Sequence, residues 1–132
     1  FYEPCVVLPG VMTVKAPPVD ENFAQDLERF CQSFDRQASI NTFPMVVLVD
    51  DAHFASSNLR NFQWVTFTRS NPAQDINGIE AFTDMKHWGC HGALVIDARI
   101  KPHHAPPLVE DPTVTAKVDA MAAKGLAVSR YL

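Results

Sequence analysis

Apolar residues along the chain follow two spacings, one typical of strands and the other of helices. Residues 5–8 and 12–14 are β-branched or apolar and lie on either side of a Pro9-Gly10 turn signal, which predicts that residues 5–19 are extended. Residues 45–49 and 93–96 are short, wholly aliphatic runs, typical of strands buried on both faces as in a parallel sheet. A weaker strand is predicted over residues 76–82.

Three helices are predicted, two between these strands and one after the last of them. The first covers residues 21–36, with Asp20 as N-cap; its apolar stripe is Phe23, Leu27, Phe30, Cys31 and Phe34. The second follows the capping residues 56–58 and runs to about residue 68, with an inner face of Leu59, Phe62, Val65 and Thr66. The third starts at Asp111-Pro112 and ends near Gly125, with a stripe of Val114, Val118, Met121 and Ala122.

The alternation of strands and helices predicts the fold class. It favours an α/β protein, a three-layer sandwich with a mostly parallel or mixed sheet flanked by helices. The length of 132 residues suits a single domain over residues 1–132. The tail, residues 126–132, is mostly apolar, so we expect it to dock on another surface.

Composition and charge exclude several classes of protein. A 47% hydrophobic content with a net charge of −4 argues against disorder, and the absence of a basic block argues against a nucleic-acid partner. No membrane span is expected, because the longest aliphatic run, residues 45–49, is far too short. Three widely spaced cysteines make a poor disulfide framework, which predicts a reduced, cytoplasmic location.

Charged residues follow two of the predicted strands. Asp50 and Asp51 come directly after residues 45–49, at the strand end where open α/β sheets place their sites. They could bind a metal or act as a base; alternatively, one caps the next turn and pairs with a local arginine. Arg99 and Lys101 could meet a carboxylate or phosphate, or belong to an ion-paired loop.

The predicted loop over residues 86–92 is unusually rich in reactive side chains. His87, Cys90 and His91 could provide zinc ligands, or Cys90 could act as a nucleophile; the alternative is a packed loop without chemistry. No glycine-rich phosphate-binding motif occurs in the chain, which disfavours a self-contained dinucleotide-binding enzyme.

Four segments carry a resemblance to a known family. Residues 43–51 form an aliphatic strand ending in two acids, and residues 61–75 combine a tryptophan-containing helix with a T-R-x-x-P-x-x-D turn. Together with residues 86–90 and 97–107, they resemble the UbiD-like decarboxylases, including phenylphosphate-carboxylase-type members, over about residues 11–125. The resemblance implies a reversible, non-oxidative (de)carboxylase of aromatic or α,β-unsaturated acids. It also implies prenylated FMN, bound with a divalent metal and potassium.

The resemblance covers only the C-terminal domain of that family. It implies that the catalytic and flavin-binding residues lie in preceding domains of the same polypeptide, so no catalytic, cofactor or metal residue maps here. The chain starts at Phe1 without a methionine, and we expect it to be a fragment that is inactive and cofactor-free alone. The domain is expected to cover the active-site cleft and to form a homodimer. Phe82, His87 and Trp88 are the predicted substrate-lining residues, with local core packing as the alternative.

Two other functions stay open at this stage. The chain could be a non-catalytic assembly subunit of the same fold. It could also be a small metal-dependent enzyme that uses the loop containing His87, Cys90 and His91.

Overall fold

The computed structural model describes residues 1–20, 23–106 and 109–131. In these ranges it shows seven strands and four α-helices, with short 3₁₀ turns at Ser39–Thr42 and Ala127–Arg130. In chain order, the elements are β1 (Tyr2–Leu8), β2 (Val11–Lys15), α1 (Phe23–Gln32), β3 (Met45–Val49), α2 (Ala52–Ser56), α3 (Leu59–Arg69), β4 (Ile76–Gly78), β5 (Ala81–Asp84), β6 (His87–Cys90), β7 (Leu94–Asp97) and α4 (Pro112–Ala123).

A five-stranded mixed sheet forms the centre of the fold. Its strand order is β1-β2-β3-β7-β4; β2, β3 and β7 run parallel, while the edge strands β1 and β4 are antiparallel to their neighbours. Val46 of β3 lies opposite Met12 on one side and Val95 on the other. The two aliphatic runs are thus central parallel strands, as their composition predicts.

Helices cover both faces of this sheet, which confirms the predicted three-layer α/β class. Side chains alternate between the faces along each strand, so Val46 and Leu48 face α1 whereas Val47 and Val49 face α2 and α3. The helix residues buried against these faces are Leu27, Phe30 and Cys31 on one side and Ala52, Ala55, Phe62 and Val65 on the other.

The first helix is shorter than predicted. Glu21 lies outside the described residues, and α1 ends at Gln32 instead of residue 36. The Ser33 hydroxyl donates to the Arg29 carbonyl at 2.7 Å, which satisfies one of the last carbonyls of the helix. Arg36, four residues beyond the end of α1, forms an ion pair with Glu80 at 2.8 Å.

The predicted second helix consists of two. Asp51 caps α2 by accepting from the Phe54 N–H, and Asn58 caps α3 by accepting from the Asn61 N–H. Placing Leu59 on the inner face was wrong: this first residue of α3 is 53% exposed, whereas Phe62, Val65 and Thr66 are buried.

The region between β4 and β7 differs most from expectation. The predicted strand over residues 76–82 is broken at Glu80, whose φ of +50° does not fit a strand. The predicted loop over residues 86–92 is instead largely β6, which pairs with β5 in an antiparallel hairpin. Met85 and Lys86 both have positive φ, as the two-residue turns that favour a right-twisted hairpin require.

The final helix forms as predicted but packs on little of the domain. Asp111 caps α4 by accepting from the Thr113 and Val114 N–H groups, and Gly125 follows with a φ of +68°. In the described part of the chain, no α4 residue is buried, and Met121 of the predicted stripe is 46% exposed. Among the described helices, none combines the length and the apolar character that a membrane span needs.

Candidate functional site

A buried ion pair joins the end of β7 to α1. Asp97 follows Val95 on the α1 face, and its carboxylate accepts from Arg99 Nε at 3.0 Å and Nη2 at 2.8 Å. Arg99 Nη1 reaches Asp26 of α1 at 2.9 Å. Burial alone would lower the pKa of Arg99, but hydrogen bonds and charges from Asp97 and Asp26 raise the pKa above its ordinary value. The ion-paired alternative for this segment is therefore correct.

Lys101 is buried two residues after Arg99, and its ammonium group is also bound by protein groups. Its Nζ donates to the Asp97 carbonyl at 2.9 Å and to the Arg69 carbonyl at 3.1 Å, and lies 3.2 Å from the Asp75 carboxylate. Asp75 is the last residue of the T-R-x-x-P-x-x-D turn that follows α3. These contacts fix that turn against the end of β7.

The two acids after β3 have separate structural roles. Asp51 caps α2, while Asp50 Oδ2 accepts from the Ile100 N–H at 2.9 Å and from Arg69 Nη1 at 3.2 Å. This is the alternative in which one acid caps a turn and the other pairs with a local arginine.

These contacts leave a cleft where the parallel strands end. It has a volume of about 320 Å³ and lies between α3 and the segment that follows β7. Sites in open α/β sheets typically occupy this position. The lining residues are Trp64, Thr68, Arg69, Ile100, His104, Ala105 and Pro106.

Arg69 and His104 are two polar side chains of the cleft whose partners are known. The Arg69 guanidinium is bound to Asp50 and lies 5.0 Å from the centre of the Trp64 ring, a cation–π geometry. His104 Nδ1 accepts from the Lys101 N–H at 3.1 Å. Burial lowers the pKa of His104, and the neighbouring charges of His103 and Lys101 lower it further.

The predicted substrate-lining residues lie elsewhere, on the β5–β6 hairpin. Phe82 pairs with Gly89, and His87 pairs with Asp84, so Phe82 and His87 share one face of the hairpin. Trp88 points to the opposite face, and Phe82 stacks on His91 at 4.7 Å. All three predicted residues are at least partly exposed and none lines the cleft, so their contact with substrate stays a prediction.

The structure does not gather a metal site from the reactive segment. His87 and Cys90 are three positions apart on β6 and therefore point to opposite faces. Across residues 1–20, 23–106 and 109–131, no three His, Cys, Asp or Glu side chains are arranged to hold a metal ion. Burial raises the pKa of Cys90, which disfavours the thiolate that a nucleophile needs.

Sequence reasoning placed charged residues at the ends of both strands but did not assemble the cleft. Trp64 appeared only as part of the family resemblance, and Thr68 and Ile100 were not singled out. A usable signal existed: Trp64 and Thr68 are four residues apart and so share a face of α3.

Comparisons with known proteins agree with the resemblance. No family model matches the chain. It is 26% identical over 91 residues, 69% of its length, to one of the subunits of a 4-hydroxybenzoate decarboxylase from Chlamydia pneumoniae. It is also 29% identical over 69 residues to a protein of unassigned function from Chlamydia muridarum. The matched regions span only 16% and 12% of those relatives' lengths.

A solved structure shows the same fold. The vanillic acid decarboxylase of Sedimentibacter hydroxybenzoicus, in its open form, matches 87% of this chain and 26% of its own, with a TM-score of 0.50 and 19% identity. The sequence matches agree with the resemblance to the UbiD-like decarboxylases, the solved structure shows a shared fold, and the matched region spans about a quarter or less of the length of each of these relatives.

Proposed function

We propose that this chain is the C-terminal, cleft-covering and oligomerising domain of a prenylated-FMN-dependent, reversible aromatic acid decarboxylase. Its similarity to decarboxylase subunits supports a role in such an enzyme. Because it matches only 16% of the relative named as a decarboxylase subunit, we propose that the rest of the polypeptide supplies the chemistry.

The observation that carries this proposal is that the buried charged groups are already paired with one another. Arg99 is occupied by Asp97 and Asp26, and Lys101 by Asp75. Buried charges that are fully paired hold a fold together, whereas a catalytic cation or acid needs a position open to the substrate. The paired charges therefore stabilise the fold of this domain. Such a role fits a domain that covers an active site formed by other parts of the enzyme.

We propose that the cofactors implied by the resemblance bind outside this chain. Among the residues that the structure describes there is no group of metal-ligating side chains, and the sequence contains no glycine-rich phosphate loop. We propose that a flavin-binding domain holds the prenylated FMN, the divalent metal and the potassium ion. When bound there, the flavin would supply the chemistry of carboxyl transfer.

The oligomerising role is supported by the surface near the C-terminus. Val114 and Met121 of α4 and Leu126 after it are apolar and about half exposed. Exposed apolar residues grouped in this way are typical of protein interfaces. We propose that α4 and the following turn pack against a second protomer.

Exchange of labelled CO2 into 4-hydroxybenzoate tests the enzymatic role. The purified chain should show neither flavin absorbance nor exchange. Exchange should appear when the chain is combined with the flavin-binding part of a UbiD-like enzyme, and an enzyme that retains its native C-terminal domain is the positive control. Turnover by the chain alone would contradict the proposal. Full activity of a flavin-binding part that lacks this domain would contradict the cleft-covering role.

A further inference from the structure

We infer that two copies of the chain swap their α4 helices, each of which docks in an apolar groove beside β1 and β2 of the other copy. This β1–β2 groove has a volume of about 340 Å³. The inference rests on the proposed oligomerising role and adds to it the surface that receives α4. The residues that line the groove include Tyr2, Met12, Val14, Phe30, Phe34 and Phe43.

The exposed surface of the chain is larger than that of a compact monomer. The chain exposes 8948 Å², whereas a compact monomer of the same mass exposes about 6,900 Å², so the excess is about 2,000 Å². A stable dimer of standard size buries about 800 Å² on each partner. The excess is therefore sufficient for a dimer in which each copy contributes both a helix and a groove.

The α4 helix lacks a surface to pack on within the described part of the chain. None of its residues is buried, and its main contacts are with the following 3₁₀ turn, Ala127–Arg130. Val114, Met121 and Leu126 stay about half exposed. A helix of 12 residues is marginal in water by itself, because most helical stability in proteins comes from packing an apolar face. We therefore expect another surface to stabilise α4.

The sheet is uncovered over β1 and β2 on one of its two faces. On the opposite face, α2 packs on both strands. On this face, α1 packs mainly on β7 and β4, at the other side of the sheet. Val6 lies opposite Met12 and so points to the α1 face, where it is 59% exposed. Since helices typically cover both faces of an α/β sheet, we expect a helix to cover this part too.

Aromatic side chains form much of the groove. The ring of Phe1 packs on that of Phe30 with 4.8 Å between their centres, and Phe30 packs on Phe34 at 5.2 Å. Tyr2 also lines the groove and is 49% exposed, so it is available to a partner. Such a surface suits the valine, methionine and leucine side chains that α4 and the following turn expose, because apolar area on both sides would leave water.

The two faces of the sheet favour α4 of a second copy. Ile100, His104 and Pro106 lie on the path from β7 to α4 and line the cleft beside α3. This path thus runs on the α3 face of the sheet, whereas Met12 and Val14 of the groove point to the α1 face. A two-fold axis would bring each α4 to the groove of the other copy and create two identical contacts.

Photo-crosslinking identifies the surface that α4 contacts. The full 132-residue chain with p-benzoylphenylalanine in place of Met121 is mixed with the natural chain labelled with ¹⁵N. Illumination should join the two chains, and mass spectrometry should find the link on labelled peptides from β1, β2 or residues 30–43. The same photoreactive residue in place of Ala116, on the opposite face of α4, should give little of this product.

A mixture of two variants tests whether the helices are swapped. Tyr2→Glu puts a charge in the groove and Met121→Glu puts one on α4; both positions are exposed in the single chain, so both variants should fold. Each variant alone should be a monomer at concentrations where the natural chain is a dimer. An equimolar mixture should form heterodimers, because one copy keeps an intact groove and the other an intact α4.

Phe67→Glu is the matched control. Phe67 is 67% exposed and lies on α3, another apolar surface on which α4 could dock, so this variant should stay dimeric. Dissociation of Phe67→Glu while Tyr2→Glu stays dimeric would move the docking surface to α3 and overturn the inference. Links between two α4 helices, links within one chain, or a mixture of variants that stays monomeric would also overturn it.

The inference and the proposed function fail in different ways. A natural chain that is monomeric at high concentration would contradict both the helix swap and the oligomerising role, as expected if the rest of the polypeptide covers the groove. A dimer whose Met121 links lie outside the groove would contradict only the helix swap. Neither result bears on CO2 exchange by the assembled enzyme.

Discussion

Arg99 and Asp97 form a buried, bidentate ion pair although only one residue separates them in the chain. Nε to Oδ1 is 3.0 Å and Nη2 to Oδ2 is 2.8 Å, while Nη1 reaches Asp26 at 2.9 Å. The Arg99 side chain is fully buried. One guanidinium thus connects the central parallel strands to α1, and the domain should depend on it more than on any surface charge.

Replacing Arg99 by alanine should destabilise the domain strongly. The Asp97 carboxylate would stay buried without its cation, and among the described residues Asp26 would keep only Arg29, at 3.8 Å; breaking a buried pair of this kind costs about 3–5 kcal/mol. Urea unfolding measures it. Arg60→Ala, at an exposed position of α3, should change the free energy of unfolding by less than about 0.5 kcal/mol. Equal effects of the two substitutions would contradict this role of Arg99.

Asp50 and Asp51 should respond differently to substitution. Asp51→Ala removes the N-cap of α2, which typically costs about 1 kcal/mol. Asp50→Ala leaves the Ile100 N–H and Arg69 without their acceptor, and should also change the cleft. Thermal unfolding measures the stability of both variants. The NMR signal of the ¹⁵N-labelled Trp64 indole N–H reports changes in the cleft, because Trp64 lines it. A shift of that signal with Asp51→Ala but not with Asp50→Ala would contradict the assignment.

The sequence predicts some elements well for physical reasons. Residues 45–49 were predictable as a buried strand, because the run is short, wholly aliphatic and β-branched-rich, and is bounded by a proline and two acids. The hairpin was missed because its turn residues, Met85 and Lys86, are not those that usually adopt positive φ. Aliphatic composition and helical spacing therefore predicted the central strands and the helices around them, but they did not predict the β5–β6 hairpin.

The cleft was harder to predict than the fold. Asp50, Arg69 and His104 come from three segments 19 and 35 residues apart, and only tertiary packing brings them together. The sequence predicted that one of the two acids pairs with a local arginine. Its partner could not be named, because several arginines were available and spacing along the chain does not select one.

His104 should make stability depend on pH. Its pKa is lowered by burial and by His103, Lys101 and Arg69, with Asp75 acting in the opposite direction. The folded chain therefore binds this proton less readily than the unfolded chain, so protonation favours unfolding. The contribution of His104 should be complete above about pH 6.5 and be lost as the pH falls towards its lowered folded value.

Unfolding curves between about pH 7.5 and 5 check this dependence, with the pH values chosen about the ordinary histidine pKa. His104→Asn should show a flatter pH profile than the natural chain. His103→Asn is the matched control and should keep most of the slope, since it removes a neighbour but not the buried acceptor. An unchanged slope in His104→Asn would assign the effect to another group.

The three cysteines should react with iodoacetamide in a fixed order. Burial raises the pKa of Cys31 to about 12, with smaller contributions from Cys90 and Glu28, so it should stay unmodified until the chain unfolds. Cys5 is partly exposed, and its sulfur lies 3.6 Å from His53 Nδ1. We expect Cys5 to be alkylated first, then Cys90, as measured by peptide mass spectrometry at about pH 8. Modification of Cys31 at the rate of Cys5 in the folded chain would contradict this order.

The α4 helix should control self-association without controlling folding. Met121 is about half exposed and no α4 residue is buried, so Met121→Glu should change the free energy of unfolding by less than about 0.5 kcal/mol. If its apolar stripe covers a second protomer, the same charge would be buried at the interface, and the dimer should dissociate. Light scattering over a range of concentrations measures the mass.

Ala116→Glu is the matched control for this experiment, because residue 116 lies on the face of α4 opposite the stripe. The natural chain and Ala116→Glu should both be dimers at concentrations where Met121→Glu is a monomer. A natural chain that stays monomeric at high concentration would refute the oligomerising role. Dissociation by both variants would show that added negative charge, rather than loss of the apolar contact, separates the protomers.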